Sequence, residues 1–177
     1  NAKCLIECVN ILVKKYNIKL EVKWLGRDFG KYGKRFTYAE ECYALIAKYN
    51  LKDLWSWEGM QRCVAKYLLA ADILVHTSYG EGFPNAICEA LSVGCPVAAS
   101  DVYDHPYIIQ EGYNGLLFNP YNPAELAKKL FKYYKLPEKE KKKMANNAKE
   151  TFNKKFTSEK MIWNYIKLFE EIRYSND

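Results

Sequence analysis

The chain opens with apolar residues three and four apart. In CLIECVNILVKKY, Leu5, Val9, Leu12 and Tyr16 share one helical face, so the spacing predicts an amphipathic helix. LEVKWLG then reads as a strand ending at Gly26, TYAEECYALIAKYN as a helix, and LWSWEG as a short strand. QRCVAKYLLAAD is helical and ILVHTS a buried strand. PNAICEALSVG is a helix with Pro84 in its first turn and Gly94 past its end. PVAAS and GLLF are strands. NPAELAKKLFKYY opens on a capping box, Asn122 with Glu125. Two more helices follow, and the last carries Ile162, Tyr165, Ile166, Phe169 and Ile172 on one stripe.

Strands alternating with helices of about a dozen residues indicate βα units. The expected fold is α/β, a Rossmann-like parallel sheet with helices on both faces. No repeat or low-complexity linker divides residues 1–177, which read as a single domain. In such sheets ligands bind beyond the carboxyl ends of the strands. TSYGEGFPN occupies that place, after ILVHT.

Composition narrows the function. Hydrophobic residues make up 49% of the chain, which favours a packed core over disorder. No apolar run approaches the roughly 20 residues of a spanning helix, no signal peptide opens the chain, and without an initiator Met the sequence is expected to begin inside a larger protein. The six cysteines form no C-x-x-C pair, and most sit in apolar surroundings, which reads as reduced, buried thiols of a cytoplasmic protein. His76 and His105 are too few and too far apart in sequence for a metal site, so no metal is expected. GRDFGKYGKR lacks the Ser or Thr of a phosphate loop and reads as a basic loop. The net charge of +6 is uneven, with twelve lysines against four acids in residues 128–160. Interspersed acids make that segment a solvated helix face, or else a surface for anionic lipid. The tyrosines and tryptophans form no stacking motif for RNA, and no nucleic-acid partner is expected.

EGFPNAICEAL carries the candidate chemistry. Gly80 and Gly82 flank Glu81 and permit a tight turn with close backbone approach. The N–H groups of Asn85 and Ala86 point out of the helix end, where the helix dipole favours phosphate. Glu89 lies four residues after Asn85 on the same face, inside an otherwise apolar run, and is expected to reach the strand-end cleft rather than bulk solvent. Its carboxylate can accept two hydrogen bonds from a vicinal diol such as a ribose. Glu81, at the mouth, can hold a second polyhydroxy group. The plainer alternative makes Glu81 a solvated turn residue and Glu89 a buried acid with a structural partner.

EGFPNAICEALSVGCPVAASD is similar to the E-x7-E segment of the group 1 (family 4) glycosyltransferases of GT-B fold. LLAADILVHTS before it and EGYNGLLFNPYNPAELAKKL after it fit as well, so the resemblance runs from about Leu20 to the final helix. It implies a retaining, metal-independent hexosyltransferase that needs no cofactor and uses a UDP- or GDP-sugar as donor substrate. Glu81 would be the catalytic carboxylate, touching donor-sugar hydroxyls, and Glu89 the ribose ligand. Gly82 and Phe83 would offer backbone contacts to the sugar, Asn85 and Ala86 would hold the pyrophosphate, and Gly59 with Met60 would seat the base. The acceptor would be a glycan or a lipid-linked sugar of cell-surface polysaccharide synthesis. The enzyme would be cytoplasmic, peripheral at the inner membrane face.

Two departures stand out. The family often has Gly-Gly and then Pro-Glu after the PVAAS strand; here VYDHPYII supplies Tyr103, Asp104, Pro106 and Tyr107. The family's donor domain also begins with a phosphate-gripping strand, and an acceptor-binding domain precedes it; this chain contains neither. The sheet is therefore expected to be interrupted between the LEVKWLG and ILVHT strands, with the edges joined directly or filled by another chain. The fragment alone is expected to be inactive. The rival readings are a non-catalytic nucleotide-sugar-binding module and an epimerase of the same fold, which would want more acids or histidines around the cleft.

Overall fold

The computed structural model describes residues 1–26 and 37–174, so the basic loop read in GRDFGKYGKR falls almost wholly outside the described residues. The elements are α1 (Ala2–Tyr16), β1 (Val22–Leu25), α2 (Thr37–Lys48), β2 (Trp55–Gly59), α3 (Ala65–Ala70), β3 (Leu74–His76) and α4 (Asn85–Ser92). They continue as β4 (Val97–Ser100), α5 (His105–Ile108), β5 (Gly115–Phe118), α6 (Pro123–Tyr134), α7 (Glu138–Lys155) and α8 (Ser158–Tyr174). The strands pair in parallel throughout.

Alternation along β4 builds the two sides of the core. Val97 and Ala99 face α4, α7 and Ile108, while Ala98 faces α1 and α6. β5 repeats the pattern, with Leu117 on the first side and Leu116 and Phe118 on the second. Near-continuous apolar strands buried on both faces are the mark of a parallel α/β sheet. Gly115 is needed at the β4–β5 contact, because a Cβ there would lie 2.2 Å from the Val97 carbonyl oxygen.

The sheet is interrupted where expected. Among the described residues β3, β4 and β5 form one three-stranded sheet, and β1 pairs only with β2 in a second sheet. The facing edges of β1 and β3 are not joined. α1 bridges them: Cys4, Cys8 and Leu12 pack towards β4 and β5, while Leu5, Ile6 and Val9 pack towards Trp55 and the β1–β2 pair. Val75 belongs to both apolar clusters. On the far side of β2, Tyr67 of α3 donates to Glu58 at 3.1 Å.

Several details differ from the pattern reading. Pro84 is the N-cap of α4, in extended conformation, and the helix proper starts at Asn85. α5 is a single turn, too short to carry a periodic signal. The capping box of α6 is half made: Asn122 accepts from the Glu125 N–H at 3.0 Å, but the Glu125 carboxylate reaches the N–H of Asn119. Met144 and Ala148 seat α7 in the core, leaving Lys139, Lys142, Lys143, Lys149, Lys154 and Lys155 exposed. The stripe of α8 is exposed along its length, Phe169 most of all among its five residues. No helix among the described residues is long and apolar enough to cross a membrane.

Candidate functional site

Three observations put the carboxyl ends of the strands on one side. Thr77, directly after β3, donates its hydroxyl to the Asn1 carbonyl at 2.9 Å. Lys3, one turn into α1, donates its N–H to the Tyr38 hydroxyl at 3.3 Å. Tyr38 lies in the first turn of α2, the helix that follows β1. The start of α1 therefore sits among the ends of β1 and β3.

The loop after β3 is held from below. Ser100, fully buried at the end of β4, donates to the Ser78 carbonyl at 2.5 Å. The Ser78 hydroxyl in turn donates to Oε1 of Glu81 at 2.6 Å. Nε2 of His76 lies 3.4 Å from the same oxygen and 3.3 Å from the Ser78 hydroxyl. One oxygen of Glu81, Oε1, is thus engaged by two side chains. Burial lowers the His76 pKa, with the nearby His105 adding to the fall, and this outweighs the upward pull of Glu81.

His105 lies behind this group, wholly buried, its ring edge-on to His76 with centroids 5.3 Å apart. Its Nδ1 is 2.7 Å from the Ser100 carbonyl. A carbonyl only accepts, so the proton sits on Nδ1. Nε2 is buried without a hydrogen-bond partner among the described residues. Far apart in sequence, the two histidines meet edge-on in the fold, and no group of three metal-capable side chains forms among the described residues. His76, Ser78, Ser100 and His105 were missed as site residues. Only the spacing of His76 and Ser78, two apart at a strand end, hinted at them.

α4 opens to solvent. Its first backbone bonds run from Ile87 and Cys88 to the Pro84 carbonyl at 3.1 and 3.4 Å, so the N–H groups of Asn85 and Ala86 precede the ladder and point out of the helix end. Both residues are exposed, as are Glu81 and Gly82. Phe83 is half-exposed and rests on Phe156, with ring centroids 5.6 Å apart.

Glu89 corrects the sequence reading. Its side chain is exposed, not shielded from bulk solvent. Ile87, Cys88, Ala90 and Leu91 take the buried face, and at 100° per residue Glu89 falls in the outward gap between them. Apolar neighbours in sequence are not its neighbours on the surface. Gly59 closes β2 with a φ of 68°, accepting from the Gly26 N–H at 2.9 Å, and Met60 beyond it is exposed. They lie across the open edge from Glu81, joined to its loop by no described contact.

Residues 1–151 match the family of glycosyl transferases group 1. The chain belongs to that family. It is 35% identical over 109 residues to an uncharacterized glycosyltransferase of Methanocaldococcus jannaschii, covering 62% of this chain and 30% of that protein. Over 124 residues it is 35% identical to the lipopolysaccharide 1,6-galactosyltransferase of Escherichia coli, covering 67% of this chain and 32% of that one. The chain thus spans about a third of the length of these relatives. Among solved structures, HepE of Anabaena in complex with UDP superposes with a TM-score of 0.83 at 21% identity, covering 96% of this chain and 44% of that one. At that identity the likeness speaks for the GT-B fold.

Proposed function

We propose that this glycosyltransferase chain is the donor domain of its parent enzyme, binding a UDP- or GDP-sugar at the end of β3. The observation that carries the reading is the Glu81 carboxylate, held by Ser78 beside the open N-terminus of α4. Asn85 and Ala86 offer N–H donors to the pyrophosphate, as a helix end suits an anion. Glu89, exposed one turn on, takes the ribose diol, and Gly59 with Met60 takes the base. Glu81 Oε2 takes donor-sugar hydroxyls. That HepE was solved with UDP supports this choice of ligand.

The parent transfers the sugar with retention and without a metal. The helix N–H groups stabilise the departing diphosphate, and the acceptor hydroxyl attacks on the face it leaves. The leaving phosphate accepts the proton, so electrostatic stabilisation of developing charge is the main term. The acceptor is a glycan or lipid-linked sugar, presented by the domain absent from this chain. The exposed lysines of α7 favour a cytoplasmic enzyme peripheral at the inner membrane face. This chain alone is inactive, because catalysis needs both reactants positioned. Ligand-detected NMR with a panel of nucleotide sugars tests the reading. No bound nucleotide in that panel, or turnover by the isolated chain near that of the parent, would sink it.

A further inference from the structure

The loop that departs most from the family pattern carries an unusual residue. Tyr103 has a φ of 46°, in the left-handed region that bulky side chains rarely adopt. Its side chain is 77% exposed, so little burial offsets the strain. Strain of this kind persists where the surroundings enforce it, and it gathers at ligand sites.

The ring of Tyr103 lies over Gly80. A Cβ built on Gly80 would come within 2.9 Å of Tyr103 Cε2, so the glycine is what lets the ring settle there. The next residue is Glu81, whose Oε1 is already engaged. Other exposed rings edge the same loop: Tyr79 stacks on Tyr121 at 5.0 Å, and Phe83 is half-exposed. Exposed aromatic surface rimmed by polar groups marks a binding site more often than a random surface. A carboxylate beside an aromatic wall fits a ligand with hydroxyls at its edge and C–H groups on its face.

We propose that Tyr103 is a specificity-determining residue, forming an aromatic wall that packs on the pyranose ring of the donor while Glu81 holds its hydroxyls. The inference rests on the reading of this site as a nucleotide-sugar site. A ring contact of this kind contributes to the sugar and not to the nucleotide, since it touches no phosphate or ribose group.

Tyr103→Gly and Tyr103→Phe test it, titrated by calorimetry with UDP, UDP-glucose, UDP-N-acetylglucosamine, GDP and GDP-mannose. Tyr103→Gly should unfold in urea no more easily than the parent sequence, because glycine relieves the left-handed backbone. It should bind bare UDP or GDP within about twofold of the parent sequence, yet lose about threefold to tenfold for the sugar nucleotide, as expected for one aromatic contact. Tyr103→Phe should keep that affinity. A role in folding alone would give the opposite pattern, with lost stability and equal losses for both ligand types. Sugar-nucleotide binding left intact in Tyr103→Gly, or lost equally with the bare nucleotide, overturns this inference and leaves the site standing. A parent sequence that binds none of the five probes overturns the nucleotide-sugar reading and this inference with it.

Discussion

The Ser78 hydroxyl lies 2.6 Å from Oε1 of Glu81, and this bond turns the carboxylate back towards the end of β3. The orientation of Glu81 is therefore set by a neighbour three residues earlier, not by its own loop backbone. Ser78→Ala should leave the fold intact, because the Ser78 carbonyl keeps its bond from the Ser100 hydroxyl. It should weaken a sugar nucleotide by roughly threefold to tenfold, the worth of one net hydrogen bond. Calorimetry checks this; a loss shared by the bare nucleotide diphosphate would argue that Ser78 shapes the loop as a whole.

The two acids of the motif should separate by ligand. Glu89→Gln keeps shape but removes a charge and an acceptor, and should cost nucleotide and sugar nucleotide alike. Hydrogen bonds to a charged group contribute roughly 1.5–3 kcal/mol, so the loss is about tenfold to a hundredfold. Glu89 is exposed, so the variant should fold as the parent does, and circular dichroism checks it. Glu81→Gln should weaken the sugar nucleotide more than the bare diphosphate. Equal losses in Glu81→Gln, or none in Glu89→Gln, would remove the assigned roles.

Half-buried His76 should make stability fall in mild acid. Burial lowers the folded-state pKa of His76 below its ordinary 6.5, so below that pH the unfolded chain binds a proton that the folded chain refuses. Stability is then full above pH 6.5 and declines as the pH falls towards the folded-state value, with a slope of at most about 1.4 kcal/mol per pH unit for this group. Among the groups facing His76, His105 and the Asn1 ammonium add to the lowering of its pKa, while Glu81 opposes it. Urea unfolding between pH 7.5 and 5.5 (chosen to stay above about 5, where carboxylates begin to titrate) measures the slope. His76→Gln should flatten it, and an unchanged slope would show that other groups carry the acid sensitivity.

The unjoined edges of β1 and β3 should be visible in hydrogen exchange. The Leu74 N–H bonds to the Pro96 carbonyl at 2.9 Å, on the β4 side, so by alternation the N–H of Val75 faces the open edge. Val75 should exchange far faster than Ala98, which sits mid-strand between two partners. In a longer protein with a further strand between β1 and β3, that strand should close the gap and slow Val75 by orders of magnitude. Equal protection of Val75 in both forms would sink this account.

The sequence by itself determined the elements, the single turn α5 apart, and the order of α and β, because the 3.6 and 2.0 periods are local properties of the backbone. It marked Glu81, Asn85, Ala86 and Glu89 as a unit, since their spacing places a turn and a helix end together. It could not say that Glu89 is exposed, because that depends on which face of α4 the sheet and α7 claim. Nor could it join His76 to His105 or Tyr103 to Gly80, which lie 29 and 23 residues apart. Those contacts exist only because β3 and β4 are adjacent and parallel, which brings the loops after both strands to one end of the sheet. Pairing between strands is a long-range choice, made by the whole core, and the site is assembled at the ends of that choice.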